Sequence, residues 1–155
     1  MESDRTRLYL TRHGEVVNHG VYNGQNDVDI TPKAIQQMER LRDRLADKDL
    51  RAAYSSDLIR TRKGAEIIAQ PHGLAPRTFP EFREVNFGRW QGLSYAQVME
   101  QYPADIPQWL GDVENFHIPE GESMTEVRQR SMPKLQELIE KHRGEEILLV
   151  CHGAL

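Results

Sequence analysis

Arg12-His13-Gly14 follows directly on the apolar run Leu8-Tyr9-Leu10. A short β-rich run that stops at a glycine holds the next side chains at the rim of a sheet, where open α/β folds bind their ligands. Arginine beside histidine at such a rim suits an anion. The pattern recurs late in the chain, where Ile147-Leu148-Leu149-Val150 runs into Cys151-His152-Gly153. Two charged clusters lie between them: Ser55 to Arg62, with Arg60 and Arg62, and Glu81 to Arg89, with Glu81 and Glu84. Two imidazoles, two arginines and a carboxylate make a specific chemical set, provided that the chain brings them together.

The elements that would do so can be read from periodicity and punctuation. Leu8 to Thr11 reads as a strand, and Glu15 to Asp29, rich in Asn, Gly and Asp, as a long loop. Thr31 as N-cap with Pro32 at the first position starts a helix to about Ala46, with Ile35, Met38, Leu41 and Leu45 at helical spacing. Leu50 to Tyr54 gives a second strand, then Ser55-Ser56 as caps and a helix carrying Leu58, Ile59, Ala65 and Ile68, closed by Pro71-His72-Gly73. Arg77 to Phe79 is a brief third strand and Pro80 to Gly92 an ordered loop. Ser94 caps a helix to about Tyr102, and a further helical piece includes Trp109 and Leu110. After a loop from Asn115 to Ser123, Met124 to His142 reads as helix, with Val127, Leu135, Leu138 and Ile139 on one side and Pro133 kinking or breaking it. Glu146 to Cys151 is the last strand, and Met1 to Thr6 is expected to fray.

Strands separated by helices imply right-handed crossovers and a mostly parallel sheet covered on both faces. The polar clusters all follow strands, so they lie past carboxyl ends. Arg12, His13, Arg60 or Arg62, Glu84 and His152 can therefore meet in one crevice.

Composition bounds the partners. With 155 residues, 38% apolar and 28% charged, the chain reads as one globular domain over residues 1–155. A net charge of -4 gives no basic field, so neither nucleic acid nor an anionic membrane is expected as partner, and any anion site must be local. No apolar run approaches the ~18 residues needed for a membrane span, and Met1 to Arg7 has no apolar signal core, so a soluble, cytoplasmic protein is expected. Cys151 is the sole cysteine, which excludes an internal disulfide and a cysteine-rich metal site.

The ordered motifs resemble the histidine phosphatase superfamily, the phosphoglycerate-mutase-like proteins. Arg12-His13-Gly14-Glu15 resembles its signature, and Tyr22-Asn23-Gly24 with Asp27 to Thr31 its following phosphate-side loop. Ser55-Ser56-Asp57-Leu58-Ile59-Arg60 resembles its second arginine motif, and Glu84 to Gly92 its acid loop. Pro119-Glu120-Gly121-Glu122-Ser123 and the closing His152-Gly153 complete the order. The resemblance implies an α/β three-layer sandwich with a mostly parallel central sheet. It also implies metal-free chemistry without a cofactor on a small phosphorylated metabolite. His13 would attack phosphorus and become a phosphohistidine that water then hydrolyses. Arg12 and Arg60 would keep His13 neutral and, with His152 as donor, clamp the phosphoryl oxygens. A backbone carbonyl would fix the His13 tautomer. Glu84 would protonate the leaving oxygen and then take a proton from water. Arg12, Asn18 or His19, Asn23, Gly24, Arg60 and His152 would bind substrate.

Each role has a plainer rival. Arg60 could be a solvated helix arginine, with Arg62 in its place, and Glu81 competes with Glu84; the motif match favours Arg60 and Glu84. Trp90 and Trp109 read as packing residues, and His72, His117 and His142 as surface histidines. The family's asparagine after the signature is displaced: Asn18 sits one position early and His19 occupies the place. Thr61 and Gly64 stand where the family often has alanine and threonine, and supply no core chemistry. Family members usually continue with a helix and strand past His-Gly, so a C-terminally truncated domain or cover by a second copy in a homodimer is expected, with apolar sheet centre otherwise exposed. The short stretch from Glu84 to Gly121 favours a phosphatase over a mutase. Arg12 to Thr31 looks most like the α-ribazole-phosphate phosphatase branch of cobalamin synthesis, with broad-specificity phosphomonoesterases nearly the same. A phospho-ligand binding module without turnover is the reading from another class.

Overall fold

A computed structural model describes residues 4–155. Its elements run β1 (Arg7–Arg12), α1 (Pro32–Leu45), β2 (Leu50–Ser55), α2 (Ile59–Ala69), β3 (Arg77–Thr78), α3 (Tyr95–Gln101), α4 (Asp105–Gly111), α5 (Met124–Lys141) and β4 (Glu146–Cys151). The strands form one four-stranded sheet in the order β1-β4-β2-β3, parallel throughout. Because β4 lies between β1 and β2, the last strand in sequence is central in space.

The residues of β4 show why it holds that place. Leu148 and Val150 face Met38, Leu45, Ala65 and Ile68 from α1 and α2, while Ile147, Leu149 and Cys151 face Tyr54, Phe82 and Leu138 on the α5 side. Both faces of a strand with period two are thus apolar, as a sheet covered by helices on both sides requires. Each such aliphatic side chain contributes roughly 1.5–3 kcal/mol on full burial. A third cluster, built on Trp90, Val98, Ile106, Ile118 and Val127, packs α3, α4 and the Glu84–Gly92 loop together. Trp90 donates from Nε1 to the Asp105 carboxylate at 2.8 Å, and Asp105 also pairs with Arg89. The indole is therefore a packing residue with its one polar atom satisfied.

Register brings the strand ends level. Arg12 pairs with Cys151, and Ser55 with both Val150 and Thr78. The ladder continues one step, with His13 N–H donating to the Cys151 carbonyl at 3.0 Å. Gly14 then lets the chain leave the sheet against α1, since a Cβ there would lie 2.6 Å from Cβ of Ala34.

Several expectations are corrected. Ser55 belongs to β2, and Leu58 rather than Ser55 or Ser56 is the N-cap of α2. The α5 helix runs through Pro133 without a break; the lost hydrogen bond falls at Gln129, which is exposed and can turn its carbonyl to solvent. Ile35 and Ile139 sit on their helical faces but remain exposed. The part of Met1 to Thr6 numbered 1–3 lies outside the described residues, and Thr6 is tied down, its hydroxyl 2.6 Å from the Ile139 carbonyl. The sheet centre is not the exposed part: β4 is covered on both faces, and apolar exposure falls instead on edge strand β1, where Leu10 is 57% exposed. Among the described residues no helix is long and apolar enough to cross a membrane.

Candidate active site

Beyond the carboxyl ends of β1 and β4 lies a cleft of about 340 Å³, lined on its polar side by Arg12, His13, Asn23, Gly24, Arg60 and Glu84. The His13 and His152 rings meet edge to face, with centroids 5.4 Å apart. Sequence positions from both ends of the chain are thus joined by adjacent parallel strands.

His13 is held in one tautomer. Its Nδ1 lies 2.7 Å from the Gly14 carbonyl, which can only accept, so Nδ1 carries the proton and Nε2 keeps a free lone pair. Burial lowers the pKa of His13 to about 4, with Arg60 and Arg12 acting in the same direction and the Gly14 bond opposing them. The imidazole is neutral near pH 7, as a nucleophile must be.

Arg60 is the second anchor. It comes from the first turn of α2, is 1% exposed, and donates from Nη1 to the Asn26 carbonyl at 2.7 Å and from Nη2 to the Gly24 carbonyl. No carboxylate pairs with it among the described residues. Burial lowers its pKa, with Glu84 and Asp27 opposing, yet a guanidinium stays charged in proteins. A buried cation without a carboxylate partner is costly unless an anion joins it. Arg62, the rival from the same helix, is exposed. Arg12 lies over Gly153, where a Cβ would come 3.3 Å from its guanidinium carbon, so glycine at that position makes room for the cation.

His152 is buried beside His13 and is not itself part of the cleft wall. Burial, followed by Arg60 and His13, pushes its pKa far down, so it too is neutral. Nε2 lies 2.8 Å from Ser56 Oγ, which in turn lies 2.6 Å from Thr61 Oγ1, and Nδ1 is buried with no partner among the described residues. This hydroxyl chain can run either way. Thr61 Oγ1 also lies 3.0 Å from the Leu58 carbonyl and 3.1 Å from the Ser56 carbonyl. With its proton there, Ser56 donates to Thr61 and accepts from Nε2 of His152, leaving a lone pair on Nδ1. Thr61 donating to Ser56 and Ser56 to His152 instead puts the imidazole proton on Nδ1, free for an anion. Thr61, expected to supply no core chemistry, therefore stands behind the partner of His152, and Ser56 is that partner rather than the N-cap of α2.

Glu84, not Glu81, enters the cleft. Its carboxylate accepts from the amides of Gly153 and Ala154, both at 3.2 Å, and of Val85 at 2.9 Å. The loop carrying it is clamped from α5: Arg130 donates to the carbonyls of Glu81 at 2.7 Å and Glu84 at 3.0 Å while pairing with Glu122. Glu122 completes the clamp by accepting from Asn86 N–H at 2.8 Å. Gly88 and Gly121 allow the two loops to press together, since a Cβ on Gly88 would lie 2.1 Å from the Pro119 carbonyl oxygen. Arg130 was not legible in the sequence, because an arginine within an amphipathic helix carries no local mark of its partners.

The remaining predicted residues divide. Asn23 and Gly24 line the cleft, and Asn23 has a buried amide oxygen without a hydrogen-bond partner among the described residues. His19, exposed like Asn18, lines it too, whereas Asn18 does not. His142 is a further correction: it is buried, between the Tyr54 hydroxyl at 2.7 Å and the Glu145 carboxylate at 2.5 Å, since the end of α5 packs on β2.

Known proteins resemble the chain in sequence and fold. The profile described as histidine phosphatase superfamily (branch 1) matches residues 8–155. A Yersinia pestis protein named probable phosphoglycerate mutase GpmB is 34% identical over 149 residues, which are 95% of this chain and 69% of the relative. Among solved structures, Bacillus stearothermophilus YhfR superposes with a TM-score of 0.90 at 30% identity, over 96% of this chain and 75% of its own. The α-ribazole phosphatase from Shigella flexneri gives 0.83 at 28% identity, over 94% and 73%. The mycobacterial glucosyl-3-phosphoglycerate phosphatase gives 0.86 at 28%, over 97% and 74%. With its paired imidazoles at adjacent strand ends and a family match over nearly all its length, the chain belongs to the histidine phosphatase superfamily.

Proposed function

We propose that the chain is a metal-independent phosphomonoester hydrolase working through a phosphohistidine on His13, with α-ribazole 5'-phosphate or another small phosphorylated metabolite as substrate. The observation that carries this is the pairing of a neutral His13, its Nε2 free, with the buried guanidinium of Arg60, which no carboxylate among the described residues neutralises. Nε2 attacks phosphorus in line with the leaving oxygen. Arg12, Arg60 and Nδ1 of His152 hold the equatorial oxygens, where fixed donors need no reorganisation as charge moves. Glu84, set at the entrance by backbone amides, gives its proton to the leaving alkoxide. It then takes one from the water that attacks the phosphohistidine, and phosphate departs.

The test is to trap phosphate from labelled substrate on the protein. Label that is stable to alkali, labile to acid and absent from His13→Ala is expected, with hydrolysis unaffected by chelator. Label on another residue overturns the mechanism, and loss of activity on chelation overturns its independence of metal. Phosphate binding without turnover would assign the chain to a binding module.

A second reading, phosphoryl transfer between positions of one substrate, draws support from the relative named a probable mutase. Supplying 3-phosphoglycerate separates the two: released phosphate supports the hydrolase, and 2-phosphoglycerate without phosphate release supports the mutase.

A further inference from the structure

The cleft has a second side that the phosphoryl chemistry leaves unused. Beside its charged residues it is also lined by Val16, Val21, Tyr22, Phe87 and Ala154. Tyr22 and Phe87 stand with ring centroids 4.9 Å apart, and Tyr22 rests on the fully buried Trp90 at 5.5 Å. The backbone of Tyr22 is fixed as well: its N–H donates to the Leu93 carbonyl and its carbonyl accepts from Gly92, both at 2.9 Å. Both rings are only partly buried, although they sit on a packed core. These aromatic faces are therefore held rigid while open to the cleft, which costs little ordering when an apolar group settles on them.

Position along the reaction axis gives the wall a meaning. Phe87 lies on the same loop as Glu84, the proton donor to the leaving oxygen, and Ala154 donates its amide to Glu84. Whatever is bonded to that oxygen must lie along this side. Apart from Arg12 and Arg60, which the phosphoryl group occupies, the lining contains no lysine or arginine. A carboxylate on the leaving alcohol would find no further guanidinium or ammonium there, only His19 and the Asn23 amide as side-chain partners.

We infer that Tyr22, Phe87, Val21 and Ala154 form a leaving-group subsite that selects phosphomonoesters of alcohols with an aromatic or extended apolar body over short carboxylated ones such as phosphoglycerate. This rests on the phosphomonoesterase reading and names its substrate class.

The experiment compares phenethyl phosphate with ethyl phosphate, two alkyl esters whose leaving alcohols are similarly basic, so that a rate difference reports binding of the ring rather than ease of bond cleavage. The expected kcat/KM ratio is about tenfold or more in favour of phenethyl phosphate, the discrimination an apolar pocket gives. The same ester should exceed 3-phosphoglycerate. In Phe87→Ala and Tyr22→Ala the ratio collapses toward unity. Val21→Lys, which does not empty the wall, should shift preference toward 3-phosphoglycerate, an outcome that misfolding cannot produce. Equal kcat/KM for the two alkyl esters, or a preference for 3-phosphoglycerate in the unaltered chain, overturns the subsite. Binding of phenethyl and ethyl phosphonates, which cannot be hydrolysed, separates the two readings. Tighter binding of the phenethyl compound supports the subsite even if no ester is turned over, equal binding overturns it, and absence of hydrolysis overturns only the proposed function.

Discussion

Two neutral imidazoles in the electrostatic field of two arginines need their protons placed correctly, and different partners do this for each. Gly14 settles His13 by a backbone carbonyl, which no side-chain substitution removes. His152 depends on Ser56 and, behind it, Thr61. Ser56→Ala is therefore expected to lower kcat about tenfold, the effect of one hydrogen bond of roughly 1.4 kcal/mol, with KM changed less. Nitrogen NMR of labelled histidine provides the readout that a merely structural serine would not move. In the phosphate-bound protein His152 should carry its proton on Nδ1, and Ser56→Ala should mix the tautomers, while Thr61→Ser keeps them distinct. A proton on Nε2 in the phosphate-bound, unaltered protein would refute this order of donors.

At the scale of elements, the site is assembled by clamps between pieces far apart in sequence. Arg130 on α5 is the clearest, since one guanidinium binds Glu122 and two carbonyls of the acid loop. Arg130→Met keeps the stem that covers the helix but removes these donors. It should cost about 2–4 kcal/mol in denaturant unfolding, because Glu122 and the freed carbonyls lose charge-assisted partners in a partly buried place. Activity should fall further than stability alone explains, through a lower kcat as Glu84 loses its fixed position. Pairing the change with Glu122→Gln in a double-mutant cycle isolates the interaction, and additive effects would show that the clamp is not a unit. The Glu122 loop was legible as a motif, whereas its function as a brace needed the partner from α5.

Over the whole molecule, the site carries a stability cost that depends on pH. His13 and His152 have folded pKa values below the ordinary 6.5, which the unfolded chain retains. The unfolded state therefore binds more protons below that value, and stability is lost as pH falls through 6.5 toward the folded values. Between pH 7 and pH 5 the loss should be about 2 kcal/mol for His152 and less for the partly exposed His13. Urea unfolding at the two pH values measures it, and His152→Asn should flatten the slope. A slope that persists in a variant lacking both imidazoles would place its origin elsewhere. The same depression keeps His13 unprotonated through the neutral range, so enzyme-side loss of kcat/KM by its protonation should set in only near pH 4.

Strand and helix periods, the Thr31 and Ser94 caps and the glycine stops made the alternation of elements readable, because hydrophobic spacing and capping are local properties. From alternation followed the parallel sheet, and from the sheet the meeting of Arg12, His13 and His152 at one rim. Strand order was not local. That β4 lies at the centre, leaving Leu10 rather than the last strand exposed, is decided by which apolar faces the helices can cover together. Tertiary packing also placed Arg60 and His19 in the cleft lining, and Arg62 and Asn18 outside it. It alone supplied the partners, Ser56 for His152, Arg130 for the acid loop and the Tyr22–Phe87 wall. Such contacts join residues that no spacing in the chain relates.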